Sequence, residues 1–125
     1  MTHFRRATFL VTLLAAGCPA FASLLGVNSD DGNLYSVSAT TAALTLIGNT
    51  GIAGAWADIA FAPNGTLYGF TDSAALTPTL YTIDPGTAAV TPIGPLDLPF
   101  VFEGGLAFAS NTTAYGTNGG NAGAA

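Results

Sequence analysis

Few side chains in this chain can do chemistry. Its 125 residues hold seven carboxylates, one histidine, one cysteine and two basic residues. The carboxylates are Asp30, Asp31, Asp58, Asp72, Asp84, Asp97 and Glu103. Asp30, Asp31 and Asn33 fall within Asn28-Ser29-Asp30-Asp31-Gly32-Asn33, where closely spaced oxygens around a glycine turn suit calcium. A plain hairpin turn accounts for the same residues, so no cofactor is expected and calcium is the one candidate. Asp58 and Glu103 precede corresponding strands. To act as a glycosidase pair they would have to stand about 5–10 Å apart, and capping of turn amides is the competing use. Trp56, close to Asp58, could stack a sugar ring or pack between sheets.

The remaining chemistry sits in a segment marked for removal. Arg5 and Arg6 form a positive start, Ala7 to Ala16 an uncharged and mostly apolar run, and Ala20-Phe21-Ala22 a small-x-small cleavage site. Residues 1–22 therefore read as a secretory signal peptide, with Ser23 first in the mature chain. The apolar run falls short of the about 20 residues that a membrane-spanning helix needs. Leu14-Ala15-Ala16-Gly17-Cys18 offers an alternative, a lipoprotein box in which Cys18 is lipidated, although Pro19 after the cysteine departs from it. Arg5-Arg6 is similar to a twin-arginine signal, but Phe9-Leu10 comes one residue late. The expected location is secreted, periplasmic or at the cell surface, with a lipid anchor through Cys18 as the alternative.

Cleavage after Ala22 also removes His3, Cys18, Arg5 and Arg6, leaving the seven carboxylates as the only charged side chains. A polyanion without a basic group cannot neutralise phosphates, which excludes nucleic acid as a partner. Attraction to anionic lipid is excluded for the same reason. A disulfide within the mature chain is impossible. Ser-His-Asp and Cys-His sites lack their imidazole, zinc lacks its nitrogen and sulfur ligands, and no lysine remains for a Schiff base. The expected function is non-catalytic. A carboxylate-dependent enzyme acting on extracellular glycans is the alternative.

The elements that must position these residues read as β. Gly, Thr, Ala and Asn abound, and Lys, Glu, Gln and Arg are nearly missing. No mature segment keeps a 3.6-residue apolar period. Leu34–Ser38 puts Tyr35 and Val37 on one face, and Ala57–Ala62 does so with Ile59 and Phe61. Pro63-Asn64-Gly65 is a turn leading to Thr66–Thr71, and Asp30-Asp31-Gly32-Asn33 turns between Leu24–Asn28 and Leu34–Ser38.

These pieces recur. Leu34-Tyr35-Ser36-Val37 matches Leu80-Tyr81-Thr82-Ile83, and Ala42–Gly48 matches Ala88–Gly94, both offset by 46 residues. Ile59-Ala60-Phe61-Ala62 matches Leu106-Ala107-Phe108-Ala109, and Tyr68-Gly69 matches Tyr115-Gly116, offset by 47. Leu24-Leu25-Gly26-Val27 aligns with Leu67-Tyr68-Gly69-Phe70. Four short strands in a period of about 40–50 residues is the arithmetic of a propeller blade.

The run Leu80-Tyr81-Thr82-Ile83-Asp84-Pro85-Gly86-Thr87, then Ile93-Gly94, Gly105-Leu106-Ala107-Phe108 and Tyr115-Gly116, resembles the repeats of bacterial secreted β-propellers. That pattern is roughly "LYxIDPxTGxxTxIG…GLAFxPxGxLYG", akin to YVTN-type and WD-repeat-like propellers. The resemblance covers nearly all of the mature chain. Ser38-Ala39-Thr40 departs from it where Asp-Pro is expected, and Ser110-Asn111-Thr112 departs where Pro-Asn-Gly is expected. It implies an all-β fold of two four-stranded antiparallel blade-like repeats, at about 34–71 and 80–117, preceded by the signal-peptide helix. A last strand of a further blade lies at 24–28, and residues 23–117 form a partial propeller. Residues 118–125 are expected to be a disordered Gly/Ala-rich tail. The resemblance implies no particular ligand.

Propellers use four to eight blades, so two imply a fragment of a longer propeller or closure by self-association. The open faces are expected to carry Tyr35, Val37, Ile59, Phe61, Ile83, Leu106 and Phe108. Such patches favour association, the more so as salt rises or pH falls toward 4.

Overall fold

The computed structural model describes residues 24–72, 77–98 and 104–118. Cys18, Ala20, Ala22, Ser23 and Glu103, with the rest of the expected signal peptide and residues 119–125, lie outside the described residues.

The described chain is all-β and contains no helix. Its strands are β1 (Leu24–Val27), β2 (Asn33–Val37), β3 (Leu44–Asn49), β4 (Trp56–Phe61), β5 (Leu67–Thr71), β6 (Thr79–Ile83), β7 (Val90–Pro95), β8 (Gly104–Phe108) and β9 (Ala114–Asn118). Every pairing is antiparallel between sequence neighbours. The expectation of two four-stranded sheets is corrected: the sheets hold three strands (β1-β2-β3), four (β4-β5-β6-β7) and two (β8-β9). A repeat fixes its period but not its phase. The chain crosses from sheet to sheet in the loops after Asn49 and Pro95, so the sequence unit 34–71 is split between two sheets.

The repeat survives this change of phase in atomic detail. Gly26 faces Tyr35 across β1 and β2, and Gly69 faces Tyr81 across β5 and β6. The register shifts between Leu34 and Tyr35 in one sheet and between Leu80 and Tyr81 in the other. Both following turns close alike, with the Ser38 amide donating to the Ala43 carbonyl at 2.9 Å and Asp84 to Ala89 at 2.8 Å. The Ser38 hydroxyl accepts the Thr41 amide at 3.2 Å, as the Asp84 carboxylate accepts that of Thr87 at 3.1 Å. Serine thus replaces aspartate in the first turn without loss of the cap, because each places one acceptor oxygen over the turn. Ala42 and Ala88 both take left-handed backbone conformations, at φ 58° and 65°.

The core lies between the three- and four-stranded sheets. Leu34, Trp56, Leu67, Ile83 and Ala88 are buried there, with Leu25, Val27, Ile47 and Ile59 packed around them. β4 lies between β1 on one side and β8 on the other. Of the residues expected on open faces, Ile83 is buried at 3% exposed, Tyr35, Val37, Ile59, Leu106 and Phe108 are half-buried, and Phe61 is exposed. The other exposed large apolar side chains are Leu44 and Leu46 on β3, Ile93 on β7 and Tyr115 on β9, together with Leu24 and Leu98.

Candidate functional site

The Asn28–Asn33 segment folds as a hairpin turn in which the side-chain oxygens of Asn28, Asp31 and Asn33 accept hydrogen bonds. Asp31 accepts the Asn33 amide through Oδ1 and the Asn33 side-chain nitrogen through Oδ2, each at 2.9 Å. The Asn49 side-chain nitrogen donates to Asn33 Oδ1 and to the Asp31 carbonyl, each at 2.8 Å. Asn28 Oδ1 accepts the Asp30 amide at 3.0 Å. Gly32, at φ 74°, makes the turn possible: a Cβ there would run into the Ile52 carbonyl. Asp30, Asp31 and Asn33 therefore come together as a hydrogen-bonded turn, and no group of three or more metal-ligating side chains occurs among the described residues.

The loop after β3 holds a polar hub that the sequence did not reveal. Thr50 is 6% exposed, and its hydroxyl donates to the Gly32 carbonyl at 2.8 Å. The same oxygen accepts the Trp56 indole N–H at 3.0 Å and the Ile52 amide at 3.3 Å. A lone threonine in a Gly-rich loop carries no pattern that would single it out. Trp56, 4% exposed, meets Tyr81 edge to face at a centroid distance of 5.7 Å. Its ring is thus committed between the sheets and not presented to a sugar. Gly69 leaves it room, since a Cβ there would stand 2.7 Å from the indole.

Asp58 is half-buried at the junction of the four- and two-stranded sheets. Its Oδ1 accepts the amide of Ile59 at 2.8 Å, and its Oδ2 accepts the amide of Leu106 on β8 at 2.6 Å. The carboxylate ties β4 to β8 across the sheet boundary. Glu103, the other member of the candidate pair, lies outside the described residues.

Next to this tie is an apolar cavity of about 300 Å³. Phe70 and Leu80 line it from the four-stranded sheet, Leu96 and Leu98 from the loop after β7, and Leu106 and Gly116 from the two-stranded sheet. The Tyr68 and Phe108 rings meet at a tilt of 37° and a centroid distance of 4.8 Å between the same two sheets. At the other sheet junction, Leu34 is fully buried at the position that Leu80 holds here. No described helix is long and apolar enough to cross a membrane.

Compared with family models, curated proteins and solved structures, the chain matches none of them.

Proposed function

We propose that this chain is an exported, non-catalytic protein of β-propeller type that binds or scaffolds other molecules outside the cytoplasm. The observation that carries the reading is the recurrence of one sheet design. The same Gly–Tyr cross-strand pair, the same register shift and the same capped turn occur in two consecutive sheets packed on one core. Repetition of a small antiparallel sheet that buries its faces only against its neighbours is the construction principle of propeller blades. Export rests on the order of charge, apolar run and A-x-A site at the N-terminus. The carboxylate enzyme has less support, because both oxygens of Asp58 already accept backbone amides.

Expression of the full chain in a bacterial host tests both halves. The protein is expected outside the cytoplasm, beginning at Ser23, and to bind without cleaving any member of a glycan or peptide panel. Protein retained in the cytoplasm contradicts export, and an intact Met1 on exported protein contradicts cleavage before Ser23. Turnover of a glycan that Asp58→Asn abolishes contradicts the non-catalytic reading.

A further inference from the structure

β3 and β7 are the outer strands of the three- and four-stranded sheets and hold equivalent places in the repeat. Their edges differ. In an antiparallel pair, hydrogen-bonded and non-hydrogen-bonded residue pairs alternate. The turn after β2 sets the phase, because Ser38 and Ala43 form a bonded pair through the Ser38 amide at 2.9 Å. Val37–Leu44 is then non-hydrogen-bonded, Ser36–Thr45 bonded and Tyr35–Leu46 non-hydrogen-bonded. The amides and carbonyls of Leu44 and Leu46 therefore point away from β2. The same count from Asp84 and Ala89 brings Val90 and Pro92 to the outward positions of β7. Proline has no N–H to offer there, which blunts β7 against pairing. Leu46, the counterpart of Pro92, keeps its donor.

β3 is also the apolar and uncharged edge. Leu44 and Leu46 are 63% and 57% exposed. They share one face of the sheet with Val37 and Tyr35, which lie opposite them on β2. No charged side chain occurs between Asp31 and Asp58, whereas β7 is flanked by Asp84 and Asp97. With seven carboxylates against two basic residues, copies of the chain repel one another. At β3 they can approach without setting carboxylates face to face.

We propose that β3 is the contact through which two copies of this chain form a two-fold dimer. The occupant follows from the symmetry of the edge. Antiparallel pairing centred on Thr45 sets Thr45 opposite the partner's Thr45, Leu44 opposite the partner's Leu46, and Leu46 opposite the partner's Leu44. Both leucine pairs are then hydrogen-bonded, because their amides and carbonyls already point outward. The threonines form the closer, non-hydrogen-bonded pair on the axis, a favourable cross-strand match. One surface thus complements itself, as a two-fold interface requires. Val37, Leu44, the partner's Leu46 and the partner's Tyr35 run as one apolar row across the joined sheets, and the exposed leucines cover one another. The contact uses neither end of the chain and does not depend on the propeller reading.

The test uses the full chain at about 0.15 M salt, where exposed charges are screened beyond about 8 Å. Sedimentation is expected to show a dimer. Leu46→Pro gives β3 the residue that β7 already carries. It should raise the dissociation constant at least tenfold and leave the far-ultraviolet circular dichroism unchanged. Thr45→Cys should yield a cross-linked dimer on oxidation, since a non-hydrogen-bonded pair brings its Cα atoms to about 4.5 Å, within disulfide range. Thr91→Cys, the matching change on β7, should not, and the wild-type chain is the control for Cys18. If Leu46→Pro fails to fold, the Thr45→Cys and Thr91→Cys variants decide alone. A monomeric wild type, a dimer that Leu46→Pro leaves intact, or cross-linking of Thr91→Cys as readily as of Thr45→Cys overturns the proposal.

Discussion

At the residue scale, two side chains do more than their types announce. Thr50 serves Gly32, Ile52 and Trp56 with one hydroxyl, inside the core boundary. Thr50→Val keeps the shape but strands the indole N–H and the Ile52 amide, while the Gly32 carbonyl keeps the Thr50 amide, and buried groups left unpaired cost about 1–3 kcal/mol each. Urea denaturation should show a larger loss for Thr50→Val than for Trp56→Phe, which forfeits one hydrogen bond worth about 1 kcal/mol along with some packing. Equal losses would mean that the hydroxyl is not the hub. Asp58 is a tie between sheets. Asp58→Ala should lower stability by about 1.5–3 kcal/mol, the range for a hydrogen bond to a charged group. It should also expose the Leu106 amide to hydrogen exchange. Undiminished protection of Leu106 would contradict the tie. The catalytic and calcium candidates were legible in the sequence as residue types, but their partners were not. Asp31 and Asp58 are occupied by amides that only the folded turns and the neighbouring sheet bring to them.

At the element scale, the hairpins were the most legible part of the chain. The Leu-Tyr strands and the turns at Asp30–Asn33 and Pro63–Gly65 form where their composition places them, because turn chemistry is local. The Asn64 side chain closes its turn by accepting the Thr66 amide at 3.0 Å, as its position in Pro-Asn-Gly implies. The grouping of strands into sheets was not legible. It depends on whether the chain turns back within a sheet or crosses to the next, and the deciding contacts, such as Thr50 with Gly32, are distant in sequence. The repeated turns also yield a design test. Pro85 occupies one of them, and Ala39 stands at the matching place in a turn closed by the same hydrogen bonds. Ala39→Pro should therefore stabilise the protein by about 0.4–1 kcal/mol through the unfolded chain. A lower denaturation midpoint would show that the two turns are not equivalent.

At the scale of the whole molecule, charge and apolar exposure act against each other. All seven carboxylates lie after residue 22 of a chain whose isoelectric point is about 4.1. Leu44, Leu46, Ile93 and Tyr115 are exposed on strands of the three sheets. Repulsion among exposed charges is screened beyond about 10 Å at 0.1 M salt, whereas apolar burial is not. Sedimentation should therefore show association that grows with salt and as pH falls toward the isoelectric point. A monomer insensitive to both would contradict this balance. Which apolar residues stay exposed was only partly legible in the sequence, because alternation identifies the faces of a strand but not which face a neighbouring sheet covers. Ile83 is buried by that neighbour, and Ile93 is not.

The central claim, that one sheet design is used repeatedly along the chain, is tested most directly by cross-strand contacts in the folded protein. These are measured by nuclear magnetic resonance at low ionic strength, where the carboxylates keep chains apart. The account predicts backbone contacts between Gly26 and Tyr35 and between Gly69 and Tyr81. The turn amides of Ala42 and Ala88 should be equally protected from exchange, each donating to a carbonyl at 2.8 Å. Contacts in one sheet without their counterparts in the other, or Tyr35 and Tyr81 each paired with a residue other than its glycine, would contradict it.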